Sequence, residues 1–383
     1  MFNSFFPPWR GGAETYTYNL ARQLVIQGQD VNVFCANPPS KPGTYKVEGI
    51  ELSCLPVRGW LYGTPLMTKL PLRLLQVRAD IFHAGFPRYY NAFCTSIASR
   101  FTGTPSALTW HNDLPSVTPM AGALVEAHDA FVLPTYIQTF GRIISTSGKY
   151  AKSSQILRRY AWKVDVVPNG VDCKRFRPDI DPGPVREKLN LGGVKTILFV
   201  GALSKWHRYK GLDVLIHAFA LVKRVQSDIV LLVVGDGTLR ASYQELTSHL
   251  NLERSVIFAG DVSDEELPRY YAASDLLILP SRDRSEGFGL TILEANTCGI
   301  PAVGSEVGGI PEVIRHRFNG LLVPPGNPEA LASAITHLLE EDSVRIKMGR
   351  NGRVFAEEHD WSRVAAATEK VYRKILNQRE PSL

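Results

Sequence analysis

The sequence predicts an α/β fold with two doubly wound domains, and two observations carry that prediction. Short apolar runs alternate with stretches of helical periodicity. The alternation occurs twice, on either side of a charged, proline-bearing segment at 173–190. A length of 383 residues agrees with two cores rather than one.

In the first domain, expected over 1–172, the chain opens on a Pro-rich loop and Gly11-Gly12 directly before a helix over 13–27. Such a glycine turn ordinarily follows a strand. The first strand is therefore expected to be missing, or this domain to be built differently. Strands are expected at 31–36, 50–57, 80–84, 107–111, 130–134, 143–147 and 164–167, with helices in several gaps, which implies a parallel sheet covered on both faces. PNGVD (168–172) closes the domain, and 173–190 is the expected linker. The second domain, 191–358, is expected to place strands at 196–201, 229–235, 256–260, 275–280, 301–304 and 320–323. Helices at 211–225, 238–250, 265–272, 290–298, 328–340 and 343–358 accompany them. The remainder, 359–383, carries a last helix at 361–376 that is expected to pack back towards the N-terminal domain. Two doubly wound domains would leave a cleft at the carboxyl ends of both sheets, where such folds bind ligands.

Composition narrows the class. Hydrophobic residues make up 44% and charged residues 21%, as in a folded globular protein. Five scattered cysteines without a Cys-x-x-Cys pair argue against a disulfide framework or zinc site and for a reducing, cytoplasmic compartment. No run approaches the roughly 18 apolar residues of a spanning helix. The net charge of +6 is uneven: residues 1–190 carry a surplus of eight positive charges and the rest a deficit of two. A basic first half suits an anionic membrane surface or a charged acceptor, or is simply a solvated surface; no nucleic-acid partner is expected.

The stretch EGFGLTILE (286–294) carries the most chemistry. It follows a buried strand and opens a helix, so its glycines sit where free amides and the helix dipole favour a phosphate. A carboxylate beside phosphate would be repelled, which assigns Glu286 and Glu294 to sugar or ribose hydroxyls; the alternative is a solvated loop acid and a plain helix-start acid. Lys205, Arg208 and Lys210 follow the strand-ending Gly201 and suit a diphosphate, or form an exposed basic loop. Gly235-Asp-Gly237 reads as a tight turn with a helix cap. In GGIPE (308–312) two glycines would allow close backbone approach to an anion or sugar. TWHND (109–113) places His111 and Asp113 at a strand end, able to hold a hydroxyl or move a proton, and His83 is a second such histidine. Asp179-Ile-Asp181 has the spacing of a metal-holding pair but lies in the expected linker, so it receives no metal role. The segment 57–78 interleaves Trp60, Leu72 and Leu75 with Arg58, Lys69, Arg73 and Arg78, suiting an interfacial membrane patch, a lipid-acceptor groove or an ordinary core-packed helix.

Together EGFGLTILE, YKGLD (209–213), GGIPEVI (308–314), PNGVD, the GGAE loop and the terminal Trp361-Ser362 helix resemble the retaining, nucleotide-sugar-dependent glycosyltransferases of family 4. That resemblance implies the GT-B fold and a hexose donor carried on a nucleoside diphosphate, with a glycan or lipid-linked acceptor. It implies that Glu286 contacts the donor sugar, that Glu294 holds the ribose, that Gly287 binds the donor in the same loop, and that Glu286, Lys210 and His111 are catalytic. The amides of Phe288, Gly289 and Leu290 would meet the diphosphate and Lys210 would neutralise it. Gly12 would lie against the donor phosphate and His111 beside the transferred sugar. No metal and no other cofactor is implied, and the mechanism would be same-face substitution. Many such enzymes carry an Arg where this chain has Ala202, so Lys205 or Arg208 would stand in for it. Rival readings are a nucleotide-sugar hydrolase or epimerase of the same fold, and a non-catalytic sugar-nucleotide-binding protein.

Overall fold

The computed structural model describes residues 1–9, 11–36, 41–61, 63–113 and 119–378. The chain forms two compact units, Met1–Gly170 with Trp361–Leu383, and Val171–Asp360.

The Val171–Asp360 unit holds a six-stranded, all-parallel sheet. In spatial order its strands are Val256–Gly260, Ile229–Val234, Lys195–Val200, Leu276–Leu279, Ala302–Ser305 and Gly320–Val323. The order reverses between Lys195–Val200 and Leu276–Leu279, so the crevice of this doubly wound sheet opens there. Each strand is a short apolar run because helices cover both faces. Leu212–Val225 and Pro328–Glu340 pack one face through Leu215, Phe219, Leu331 and Ile335. Leu290–Thr297 and Asp342–Glu357 pack the other through Ile292, Leu293 and Phe355. Residues 173–190 do not form a separate linker. Phe176 and Val185 are buried in the second of these cores, and a helix, Gly183–Lys188, lies within the segment. Asp181 accepts a bond from the Gly183 amide and Asp179 pairs with Arg177, which gives both aspartates local work.

In the other unit the first strand is present in residual form. Phe2 bridges to Phe34 on one side and to Ala84 on the other, both in parallel. The Phe2 and Asn3 amides donate to the carbonyls of His83 and Phe34. Residues 1–4 thus fill the central position between Asn32–Ala36 and Phe82–Phe86. The sequence conceals this strand because residues 1–4 are too few to show a periodicity and Pro7-Pro8 lie close behind them. Outward from it lie Ile50–Leu55 and the antiparallel edge strand Gly43–Val47 on one side. On the other side lie Ser106–Trp110, Arg142–Ser145 and Val164–Val166, all parallel. The run 130–134, expected as a strand, is helical: His128–Val132 is a π-helical turn leading into the helix Leu133–Ile137. Leu133, Tyr136 and Ile137 are its buried residues, at helical spacing, and a short apolar run does not distinguish this from a strand. Helix Trp361–Asn377 packs against Gly12–Ile26, burying Trp361, Val364, Ala365 and Val371 in the core shared with Tyr16 and Leu20.

Candidate functional site

In the Val171–Asp360 unit the loops that leave the two strands at the order reversal meet. The Arg282 amide donates to the Tyr209 carbonyl, and Gly211, at φ +73°, lets the chain pass the Pro280 carbonyl, where any Cβ would lie 2.1 Å from that oxygen. The Lys210 stem crosses Gly201, whose missing Cβ would stand 2.8 Å from the lysine Cδ. Lys210 thereby reaches Glu286, Nζ to Oε2 2.9 Å, in a largely buried ion pair. Burial opposes the lysine's charge, but Glu286, aided by Tyr209 and Glu294, outweighs it and holds the ammonium above its ordinary value.

The close approach that the GGIPE glycines permit is to backbone. Gly309 donates its amide to the Glu286 carbonyl at 2.8 Å, and a Cβ there would lie 2.1 Å from the Gly287 oxygen. Gly308, at φ +58°, passes equally close to the Glu286 carbonyl. The two glycines clamp the 286–288 backbone. Gly289, at φ +95°, is the N-cap of Leu290–Thr297, and no side chain caps it. Inside the first turn, the buried Thr291 hydroxyl has no hydrogen-bond partner among the described residues, nor has that of Ser281 at the neighbouring strand end. Neither hydroxyl stands out in the sequence, although Thr291 lies within EGFGLTILE. Phe288 is buried and locks the loop into the core.

Glu294, one turn further on, accepts a 2.6 Å hydrogen bond from Tyr271. Burial raises its carboxyl to about 7, the Tyr271 hydroxyl and Arg175 only partly offsetting it. Lys205 and Arg208 stand exposed on the 3-10 turn Lys205–Lys210, and Ala202 is exposed as well. Gly235 and Gly237 pack against the Gly201 and Leu203 backbone, so that turn supports the Lys210 loop.

In the Met1–Gly170 unit, His111 follows the strand Ser106–Trp110 and packs edge-on against Tyr16. Burial lowers it to about 4, so it is neutral near pH 7. Asp113 is turned away to structure: it accepts from the Trp110 indole and the Ser154 hydroxyl. His83 is a core residue, held between Thr109 and Tyr372 and lowered to about 3 by burial. Gly12 begins the helix Gly12–Ile26 and is exposed. The Glu14 carboxyl folds back so closely on that helix start that a Cβ on Gly11 would lie 2.2 Å from it.

Two doubly wound units, one carrying a buried lysine–glutamate pair beside an uncapped helix start at its order reversal, define the GT-B class of transferases. HepE from Anabaena, solved in complex with UDP and glucose, has the same fold: TM-score 0.79 over 97% of this chain and 98% of that one, at 20% identity. The family described as Glycosyl transferases group 1 matches residues 184–355, and Glycosyltransferase Family 4 matches residues 10–175. The chain belongs to these family 4, group 1 glycosyltransferases. Among curated relatives, the GDP-mannose-dependent alpha-(1-6)-phosphatidylinositol monomannoside mannosyltransferase of Mycobacterium tuberculosis is 26% identical, over 94% of each chain. D-rhamnosyltransferase WbpZ of Pseudomonas aeruginosa is 28% identical over 92% of this chain and 88% of its own.

Proposed function

We propose that the protein transfers a hexose from a nucleoside diphosphate to a hydroxyl of a glycan or lipid-linked acceptor, with retention and without a divalent metal. The observation that carries this reading is the Lys210–Glu286 pair, buried beside the uncapped start of Leu290–Thr297. A diphosphate at that helix start gains the amides of Phe288, Gly289 and Leu290 and draws the Lys210 ammonium towards itself. Glu286 then exchanges part of its lysine contact for donor sugar hydroxyls. Gly287 keeps the loop slim enough for that approach, and the Thr291 hydroxyl is available to a phosphate oxygen. Glu294 as carboxylate accepts the ribose hydroxyls. Lys205 and Arg208 supply the charge that Ala202 does not; the start of Gly12–Ile26 is met by the Glu14 carboxyl, which disfavours a phosphate there.

In the transfer the bond from the anomeric carbon to the diphosphate breaks and one from the acceptor oxygen forms on the same face. The acceptor proton passes to the departing phosphate. Lys210 and the helix start stabilise the charge that develops on that phosphate, which is the role a metal would otherwise take. Neutral His111 offers a hydrogen bond to a sugar hydroxyl without adding charge.

The names of the mycobacterial relatives make GDP-mannose the first donor to test. Transfer with retained anomeric configuration, undiminished by a chelator, is the expected result. Donor turnover that is independent of any acceptor would make the protein a hydrolase, and saturable binding without turnover would make it a carrier.

Among the described residues no helix is long and apolar enough to cross a membrane. Helix Leu70–Gln76 buries Leu70 and Leu74 but exposes Leu72 and Leu75 beside the exposed Lys69 and Arg73. This face suits a peripheral contact with an anionic cytoplasmic membrane, where a lipid-linked acceptor would reside.

A further inference from the structure

Phe5 and Trp9 follow residues 1–4, and Trp60 lies on the hairpin that follows Ile50–Leu55. Arg88 follows Phe82–Phe86. All four therefore leave the carboxyl ends of parallel strands of one sheet, the edge at which doubly wound folds bind ligands. They converge. The Phe5 ring stacks near-parallel to Trp60, centroids 6.1 Å apart, and lies 4.9 Å from Trp9. The Arg88 guanidinium sits 5.3 Å over the same ring and donates to the Gly63 carbonyl in the Trp60 hairpin. Phe5 is buried at 8% exposure, yet Trp9 is 39% and Trp60 55% exposed.

Large exposed indoles on a rigid base that also carries a guanidinium are costly unless something uses them. A pyranose ring fits such a surface: its C–H face is apolar and flat, and its rim of hydroxyls meets a donor at the side.

We propose that Trp60 and Trp9, based on Phe5 and flanked by Arg88, form a stacking platform for a pyranose ring of the acceptor. The proposal rests on the transferase reading above and gives the acceptor side of that reading its residues. The platform selects acceptors that present a sugar ring near the reacting hydroxyl, and it discriminates between them by how their hydroxyls meet Arg88.

Saturation-transfer NMR on the full chain with methyl α-mannopyranoside and methyl α-glucopyranoside, in the presence of GDP, tests this. Saturation is expected on the C–H protons of one ring face, with about tenfold weaker binding in Trp60→Ala and near-normal binding in Trp60→Phe, which keeps an aromatic face. Equal binding by wild type and Trp60→Ala, or none by wild type, overturns the platform. So does association with anionic vesicles that Trp60→Ala abolishes while no pyranoside binds, since that assigns the indoles to a membrane. Thermal shift with GDP and UDP reads the other unit separately. Unchanged near-ultraviolet circular dichroism and ligand-free melting of Trp60→Ala show that the variant is folded; a normal shift leaves the donor site standing whatever the NMR shows, whereas no shift in wild type counts against the donor reading alone.

Discussion

The two units solve the same problem, holding a polar ligand at the carboxyl edge of a parallel sheet, with different materials. In Val171–Asp360 the site is made of backbone. Gly211, Gly308 and Gly309 allow loops to approach within distances no side chain tolerates, and one buried ion pair sits inside the frame they make. In Met1–Gly170 the corresponding edge is made of side chains, with indoles, a guanidinium and an imidazole carried on loops of differing length. A frame of backbone fixes one ligand geometry. A platform of side chains can be re-cut for another acceptor without disturbing the sheet beneath it.

Breaking the frame should cost most where charge is buried. Glu286→Ala leaves Lys210 largely buried and unpaired, so stability is expected to fall by on the order of 3 kcal/mol and transfer by at least about a thousandfold. Denaturant unfolding and single-turnover kinetics read the two effects separately. Glu286→Ala with normal turnover would remove the pair from the chemistry. The clamp is next. Gly309→Ala would place a methyl 2.1 Å from the Gly287 oxygen and push the donor loop aside. A displacement on the order of 1 Å is expected to lower activity by about a hundredfold. The fold should survive, because the cores flanking the sheet are untouched. An active Gly309→Ala would mean that the loop is free to move.

The pH dependence sharpens the comparison from the ligand side. Glu294 rises from 4.5 to about 7 through burial. The folded chain therefore binds the proton more tightly than the unfolded one. This group's contribution to stability is fully present below about 4.5 and is lost as pH rises through about 7. Ribose recognition runs the other way, since it requires the carboxylate. Nucleoside diphosphate affinity is expected to rise about tenfold between about pH 6 and about pH 8, and Glu294→Gln should flatten the profile. His111, lowered to about 4, contributes nothing to that window. A profile that is flat in wild type would separate Glu294 from the nucleotide.

The same contrast explains what the sequence reveals. Every strand of the Val171–Asp360 sheet is legible, because a strand covered on both faces must be a short apolar run. EGFGLTILE is legible because a glycine at positive φ before a helix, and an acid that meets a lysine, restrict residue type strongly. The purpose of GGIPE is less so: glycines announce a close approach but not what approaches, and here it is the Glu286 and Gly287 carbonyls. In the other unit, residues 1–4 form a central strand too short for periodicity to mark. Trp9 and Trp60 lie fifty-one positions apart in the sequence, and only Phe5 beneath them makes them one surface. His83 and His111 both sit at this sheet, yet tertiary partners alone make the first a core residue, bonded to Thr109 and Tyr372.

The smallest expected effect concerns helix Leu70–Gln76. Leu72 is 64% and Leu75 41% exposed, while Leu70 and Leu74 on the other side are buried, so the helix is apolar on two faces and only one faces a core. If the second face lies on a membrane, Leu72→Ala with Leu75→Ala should weaken sedimentation with anionic vesicles several-fold. Stability should change by no more than about 0.5 kcal/mol, because neither side chain fills the interior. Raised salt should weaken the same association through Lys69 and Arg73, since exposed charges are screened beyond about 8 Å at physiological ionic strength. Transfer to a soluble acceptor should be untouched. If vesicle binding proves indifferent to both leucines and salt, the basic surplus of this half is a solvated surface. The acceptor would then be reached from solution, with the aromatic platform as its first contact.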